Sequence, residues 1–199
     1  MFIDGNTTLS KGNKILTIPK LYPRYSIHFD LWKNAKETGG VLKSVIRLTN
    51  TDTDTGKFGD HLPALQMRRH LLGIKLFGAI STRQRYIGSA NIKGLISPSV
   101  WVPIQIRQDI DFDEGVFKIW CYIDGYLKIH EQIDRLPPLE NVTVYAGDNF
   151  MDPLDAEIRN LVVNTGKKKS FDVNLEIFDF RNSNSSFIYL NFRTTDFSL

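Results

Sequence analysis

A single cysteine, Cys121, stands among 199 residues, so no internal disulfide can form and cysteine usage says nothing about compartment. Apolar runs stay short of the roughly 18 residues that a membrane-spanning helix needs, which argues against membrane insertion. With 14 glycines there is no collagen-like repeat, and one cysteine cannot build a disulfide scaffold. Met1 leads into Phe2-Ile3-Asp4-Gly5-Asn6 with no basic start or apolar stretch, so no signal peptide is expected in the chain as it stands. Net charge is only +3, too little to imply a nucleic-acid partner. Catalytic signatures are missing as well. His28, His61, His70 and His130 are too dispersed for a metal motif, and there is no Gly-x-Ser-x-Gly elbow, P-loop or Gly-x-Gly-x-x-Gly turn.

What is present is the composition of a folded globular domain: 42% hydrophobic, 12% aromatic and 24% charged residues. Turn-forming Gly, Pro, Asn, Asp, Ser and Thr recur at intervals of about eight to fifteen residues, with short Ile-, Val-, Phe-, Tyr- and Leu-rich stretches between them. That rhythm predicts an all-β sandwich or barrel. No convincing amphipathic helix of normal length emerges; the best candidate, Leu62 to Leu72, is held to about two turns by Pro63 and Gly73. Over Tyr25-Ser26-Ile27-His28-Phe29-Asp30-Leu31 the odd positions are apolar and the even ones polar, so one strand face is buried and the other wet. From Val116 to Ile123, Phe117, Ile119, Cys121 and Ile123 share one face while Lys118, Trp120 and Tyr122 share the other. Asp124-Gly125 then makes a tight hairpin turn, and Tyr126 to Ile133 returns with Leu127 and Ile129 expected on the inner face. Among those neighbours Cys121 reads as a buried, unreactive thiol.

Longer stretches carry a family likeness. Tyr25 to Leu31 is followed by Gly59-Asp60-His61-Leu62-Pro63-Ala64-Leu65, close to a Gly-Asp-Arg-x-Pro-Ala-Ile pattern. Next come Trp101-Val102-Pro103-Ile104-Gln105-Ile106-Arg107-Gln108, the Asp124-Gly125 hairpin, and Val142-Thr143-Val144-Tyr145-Ala146-Gly147-Asp148 leading into Ile158-Arg159-Asn160-Leu161. In this order and spacing, residues 9 to 164 resemble the laminin-G-like, concanavalin-A-like jelly-roll modules of invertebrate extracellular proteins. His61 departs from the usual Arg, and Asn149-Phe150 from a common Pro-Trp. The resemblance implies an antiparallel two-sheet β-sandwich with binding sites on rim loops or on the concave sheet. It also implies ligands drawn from glycans, proteins or lipids, and in some members a calcium ion.

Charge is segregated along the chain. From His61 to Gln108 there is no acid, while Arg68, Arg69, Lys75, Arg83, Arg85, Lys93 and Arg107 give +7. From Asp109 to Glu157 twelve acids face three bases, a net −9. One reading is a basic surface for a sulfated or otherwise anionic glycan, with Arg68, Arg69, Arg83 and Arg85 as its ligands. The other is that neighbouring strands interleave these residues into ordinary surface pairs. Asn50-Thr51-Asp52-Thr53-Asp54-Thr55-Gly56 alternates oxygen side chains before a glycine, as hard-cation loops do, although its Gly comes one residue late for an EF-hand. Asp52, Asp54, Asp60 and Asp148 are the calcium candidates, against the plain alternative that such residues make turns. Asp109 and Asp113 have the i, i+4 spacing of a jelly-roll glycoside hydrolase pair, but Asp113-Glu114-Gly115 reads better as a turn.

After Thr165 the character changes. Gly166-Lys167-Lys168-Lys169 reads as a basic turn, and alternation resumes over Phe171 to Ile177 and Phe187 to Phe192. The expectation is a jelly-roll domain over 1–165 and a C-terminal hairpin over 166–199 that packs on it or links to a further domain, the whole being a module of a larger extracellular protein. Asn6, Asn141 and Asn184 head sequons that permit glycosylation on a secretory route. The function expected is non-catalytic recognition of a glycan or cell-surface ligand. The rival is a protein–protein adhesion or homo-oligomerisation module that touches no sugar.

Overall fold

The computed structural model describes residues 1–34, 41–51, 53, 60–68, 73–80, 83–92 and 96–166. Thirteen strands and no helix occur among them. One sheet has seven strands, in the order β1 (Phe2–Ile3), β13 (Ala156–Thr165), β4 (Tyr25–Lys33), β9 (Trp101–Asp111), β10 (Val116–Ile123) and β11 (Tyr126–Ile133), with β2 (Thr7–Thr8) also on β13. The other has six: β3 (Lys14–Leu21), β12 (Leu139–Ala146), β5 (Leu42–Thr49), β6 (Ala64–Arg68), β7 (Gly73–Ile80) and β8 (Arg83–Asn91). Every strand pair is antiparallel. The fold is a two-sheet β-sandwich. The C-terminal hairpin expected after Gly166 lies outside the described residues.

Period-two patterning decides which faces meet. Ile27, Phe29, Leu31, Ile104, Ile106, Ile119 and Cys121 of the seven-stranded sheet join one core with Ile18, Ile46, Leu48, Leu65, Leu76, Val142 and Val144 of the other. Burying each large aliphatic side chain contributes about 1.5–3 kcal/mol, and that sum holds the layers together. Where β8 approaches β11, a Cβ on Gly88 would lie 2.9 Å from Ile129 Cγ2, so the glycine is required by close packing. Cys121 is buried, and burial pushes its thiol up to about 12.

One weak helix candidate proves to be a strand, and one local expectation is corrected. Ala64–Arg68, inside the helix candidate Leu62 to Leu72, is the strand β6, because its pairing with both β5 and β7 outweighs weak local helix propensity. Leu127 is 48% exposed and not on the inner face. The Asp124-Gly125 turn forms as expected, with φ of 51° and 75°, but the register shifts just after it: Tyr122 pairs with Leu127 while Cys121 pairs with Ile129. The extra residue of this bulge, Lys128, inverts the alternation and turns Leu127 outward.

Candidate functional site

Strand alternation that sends Ile27, Phe29, Ile104, Ile106 and Cys121 inward sends a different set outward on the seven-stranded sheet. Register lines these residues up across strands. Ser26, Arg107, Trp120 and His130 form one row, and His28, Gln105 and Tyr122 form the next. Asp30 lies opposite Pro103 and Arg159, and Trp32 opposite Trp101. A groove of about 550 Å³ opens on this face, lined by His28, Asp30, Pro103, Gln105, Tyr122 and Asn160 among others.

The groove walls are held by specific contacts. Asn160 takes a positive φ of 53° at a β13 bulge, a conformation Asn tolerates better than most residues. The bulge lets two successive side chains reach one carboxylate: Arg159 Nε donates to Asp30 Oδ2 at 3.1 Å and Asn160 Nδ2 donates to the same oxygen at 2.9 Å. The Arg159 guanidinium also lies 4.2 Å from the Trp101 ring centroid. Trp120 and His130 stack with centroids 5.4 Å apart and planes 14° from parallel. Arg107 sits 5.5 Å from the Trp120 centroid and donates to Asp109 Oδ2 at 2.7 Å. His28 Nε2 lies 3.2 Å from Ser26 Oγ, which also accepts from Asn164 Nδ2 at 3.3 Å. Partial burial lowers the His28 pKa below its ordinary 6.5, which favours the neutral ring. Gln105 and Tyr122 make no side-chain hydrogen bond among the described residues. Chemically the groove offers an aromatic face, a phenol, amides and an imidazole around a braced carboxylate.

At the rim, Asp109 is the hub of an ion-pair cluster. Burial raises its pKa, but the hydrogen bonds from Arg24 and Arg107 and from the Ile110 N–H outweigh burial and hold it below 3.8. Asp113 is exposed in the β9–β10 turn, where its N–H bonds Asp111 Oδ1 at 3.1 Å. The expected turn is present, and Asp109 is bonded to two arginines.

The calcium candidates fall on the other sheet. Asp52 and Asp54 lie outside the described residues. Asp60 and Asp148 are both buried, and between them stands Arg47, whose side chain is 1% exposed. Its Nη1 donates to Asp148 Oδ1 at 2.7 Å, its Nε to the Asp60 carbonyl at 2.8 Å and its Nη2 to the Thr53 carbonyl at 2.6 Å. The Asp60 carboxylate accepts from the Thr51 and Thr53 hydroxyls, and Phe150 covers the guanidinium with its centroid 5.0 Å away. The Arg47 guanidinium thus takes one Asp148 carboxylate oxygen and the Asp60 carbonyl, while the Asp60 carboxylate is held by the two threonine hydroxyls. Among the described residues no three His, Cys, Asp or Glu side chains gather as a metal site would require.

Of the four arginines proposed for an anionic ligand, Arg69 lies outside the described residues. Register puts Arg68 opposite Gly73 and puts Arg85 and Arg83 opposite Gly78 and Ile80, toward the two ends of β7. Five to seven residues of strand separate them, roughly 17–24 Å. Asn6 and Asn141 are exposed, and Asn184 lies outside the described residues. The groove itself was not singled out from sequence. The available signal was the placing of Trp120 and Tyr122, large aromatics on a face expected to be wet.

No protein-family model matches the chain, and no curated protein sequence matches it. Solved structures resemble it in fold. The binding domain of botulinum neurotoxin serotype D superposes with a TM-score of 0.51 at 15% identity, over 82% of this chain and 38% of that one. The chain therefore spans well under two thirds of that protein. The carbohydrate recognition domain of Emp46p, in its metal-free form, gives 0.51 at 11% identity over 84% of this chain and 88% of that one. A legume lectin-like domain from Entamoeba histolytica gives 0.48 at 11% identity over 83% and 87%. The sandwich is a jelly roll.

Proposed function

We propose that the protein is a non-catalytic carbohydrate-recognition module that seats a glycan across the outer face of the seven-stranded sheet. The observation that carries this reading is the groove, where Tyr122, Gln105, His28 and Asn160 converge around an Asp30 carboxylate braced from β13. Sugar rings present apolar C–H faces and a fringe of hydroxyls, so a half-exposed aromatic beside amides and a carboxylate is complementary to them. The fold shared with the Emp46p carbohydrate recognition domain supports the reading. An extracellular setting goes with it, supported by the exposed sequon residues Asn6 and Asn141.

A glycan array followed by calorimetry on the best ligand tests the proposal. Tyr122→Ala is expected to weaken binding about tenfold, the loss of one aromatic contact, with the melting temperature unchanged. Failure on every glycan, together with self-association by light scattering, would replace this reading with the adhesion and oligomerisation module.

A further inference from the structure

Several charges on this face are already matched. Asp30 on β4 is engaged by Arg159 and Asn160 of β13, and Arg159 is in turn stacked on Trp101 of β9. Arg107 of β9 is held between Asp109 and the Trp120 ring. Lys118 of β10 donates to Asp111 Oδ2 at 2.8 Å and to Glu114 Oε1 at 2.6 Å. A sulfate or uronate entering here would have to strip an arginine from its carboxylate, or lie against the Asp30 carboxylate. The polar groups left for a ligand are of another kind. Gln105 offers both a donor and an acceptor, Tyr122 a hydroxyl and His28 a ring. Such groups suit hydroxyls, which donate and accept at once.

We infer that the groove takes an uncharged glycan, a chain of neutral hexose or pentose units, and not the sulfated or otherwise anionic one that the arginine-rich segment suggests. The inference rests on the glycan-recognition reading above and narrows it. Burial lowers the His28 pKa and so disfavours a positive charge on its imidazole in the groove. Facing or flanking it are Asp30 on its own strand and Gln105 on β9, with Asn164 of β13 on its Ser26 partner.

The test titrates the intact chain with neutral hexose and pentose oligosaccharides and with sulfated and uronate-containing ones of equal length, at low and at physiological ionic strength. Neutral ligands are expected to bind with less than about a twofold change across that range, because no ion pair is screened. Gln105→Ala is expected to cost about tenfold, the loss of a hydrogen-bonding partner, and circular dichroism checks its fold. Gln105→Lys, which adds an unmatched cation, is expected to gain affinity for the sulfated series. Binding confined to anionic ligands and weakened by salt would overturn the neutral-ligand inference while leaving glycan recognition standing. Neutral binding that survives Gln105→Ala and Tyr122→Ala unchanged would overturn the location. Failure on both series would remove the glycan reading itself, and this inference with it.

Discussion

The two outer faces of the sandwich carry similar polar and aromatic residues to opposite ends. On the six-stranded sheet the face around β5 is roofed by residues 51, 53, 60 and 148–150, and Arg47, Asp60 and Asp148 are sealed beneath them. On the seven-stranded sheet the equivalent face is left open, and His28, Asp30, Gln105 and Tyr122 line a groove. A covered polar cluster must satisfy itself completely, because water cannot make up a missing bond. An open one can leave groups such as Gln105 and Tyr122 for a ligand. The contrast teaches that polar residues on a sheet become structure or site according to whether a loop closes over them.

The sharpest way to break that contrast is Arg47→Met. Removing one partner of a buried ion pair strands the Asp148 carboxylate, and the expected loss is about 3–5 kcal/mol of unfolding free energy in urea titration. The double change Arg47→Met with Asp148→Leu is expected to recover much of it. A loss under about 1 kcal/mol for the single variant would show that the roof does not depend on this pair.

Asp109 lies between the two extremes, with its side chain 10% exposed and its arginine partners 37% and 49% exposed. Asp109→Asn is expected to cost about 1–3 kcal/mol at neutral pH. Because the folded-state pKa lies below the ordinary 3.8, the stabilisation from this carboxylate is complete above pH 3.8 and is lost as pH falls through the lowered value. The variant should therefore lose stability less steeply than the parent in acid, read from melting temperatures across that window. Equal acid slopes would remove the special role of Asp109.

The smallest effect is expected from a chelator. With Arg47 already bonded to Asp148 and to the Asp60 carbonyl, EDTA should leave the melting temperature where it was, since an ion that is not bound gives no stabilisation by mass action. A clear fall with EDTA, reversed by calcium, would assign the role of metal ligands to residues among Asp52, Asp54, Asp60 and Asp148.

Much of the fold was legible locally. Tyr25 to Leu31 alternates as read, with Tyr25, Ile27, Phe29 and Leu31 buried, and the Asp124-Gly125 hairpin and buried Cys121 follow from the same pattern. Leu127 departs from the expected inner face because the extra bulge residue Lys128 puts it and Ile129 on opposite faces, and nothing in the alternation of β11 marks the bulge. Leu62 to Leu72 was ambiguous because a short apolar stretch fits a helix or a buried strand equally well.

Composition and period-two spacing by themselves determined an all-β sandwich or barrel with apolar faces turned inward, since alternation is a property of neighbouring residues along the chain. The tertiary structure alone decided which outward face is roofed and which is a groove. Asp30 meets Asn160 across 130 positions, and Arg47 meets Asp148 across 101. Contacts that distant depend on strand register and loop closure, and the chain sets those only when both sheets have formed.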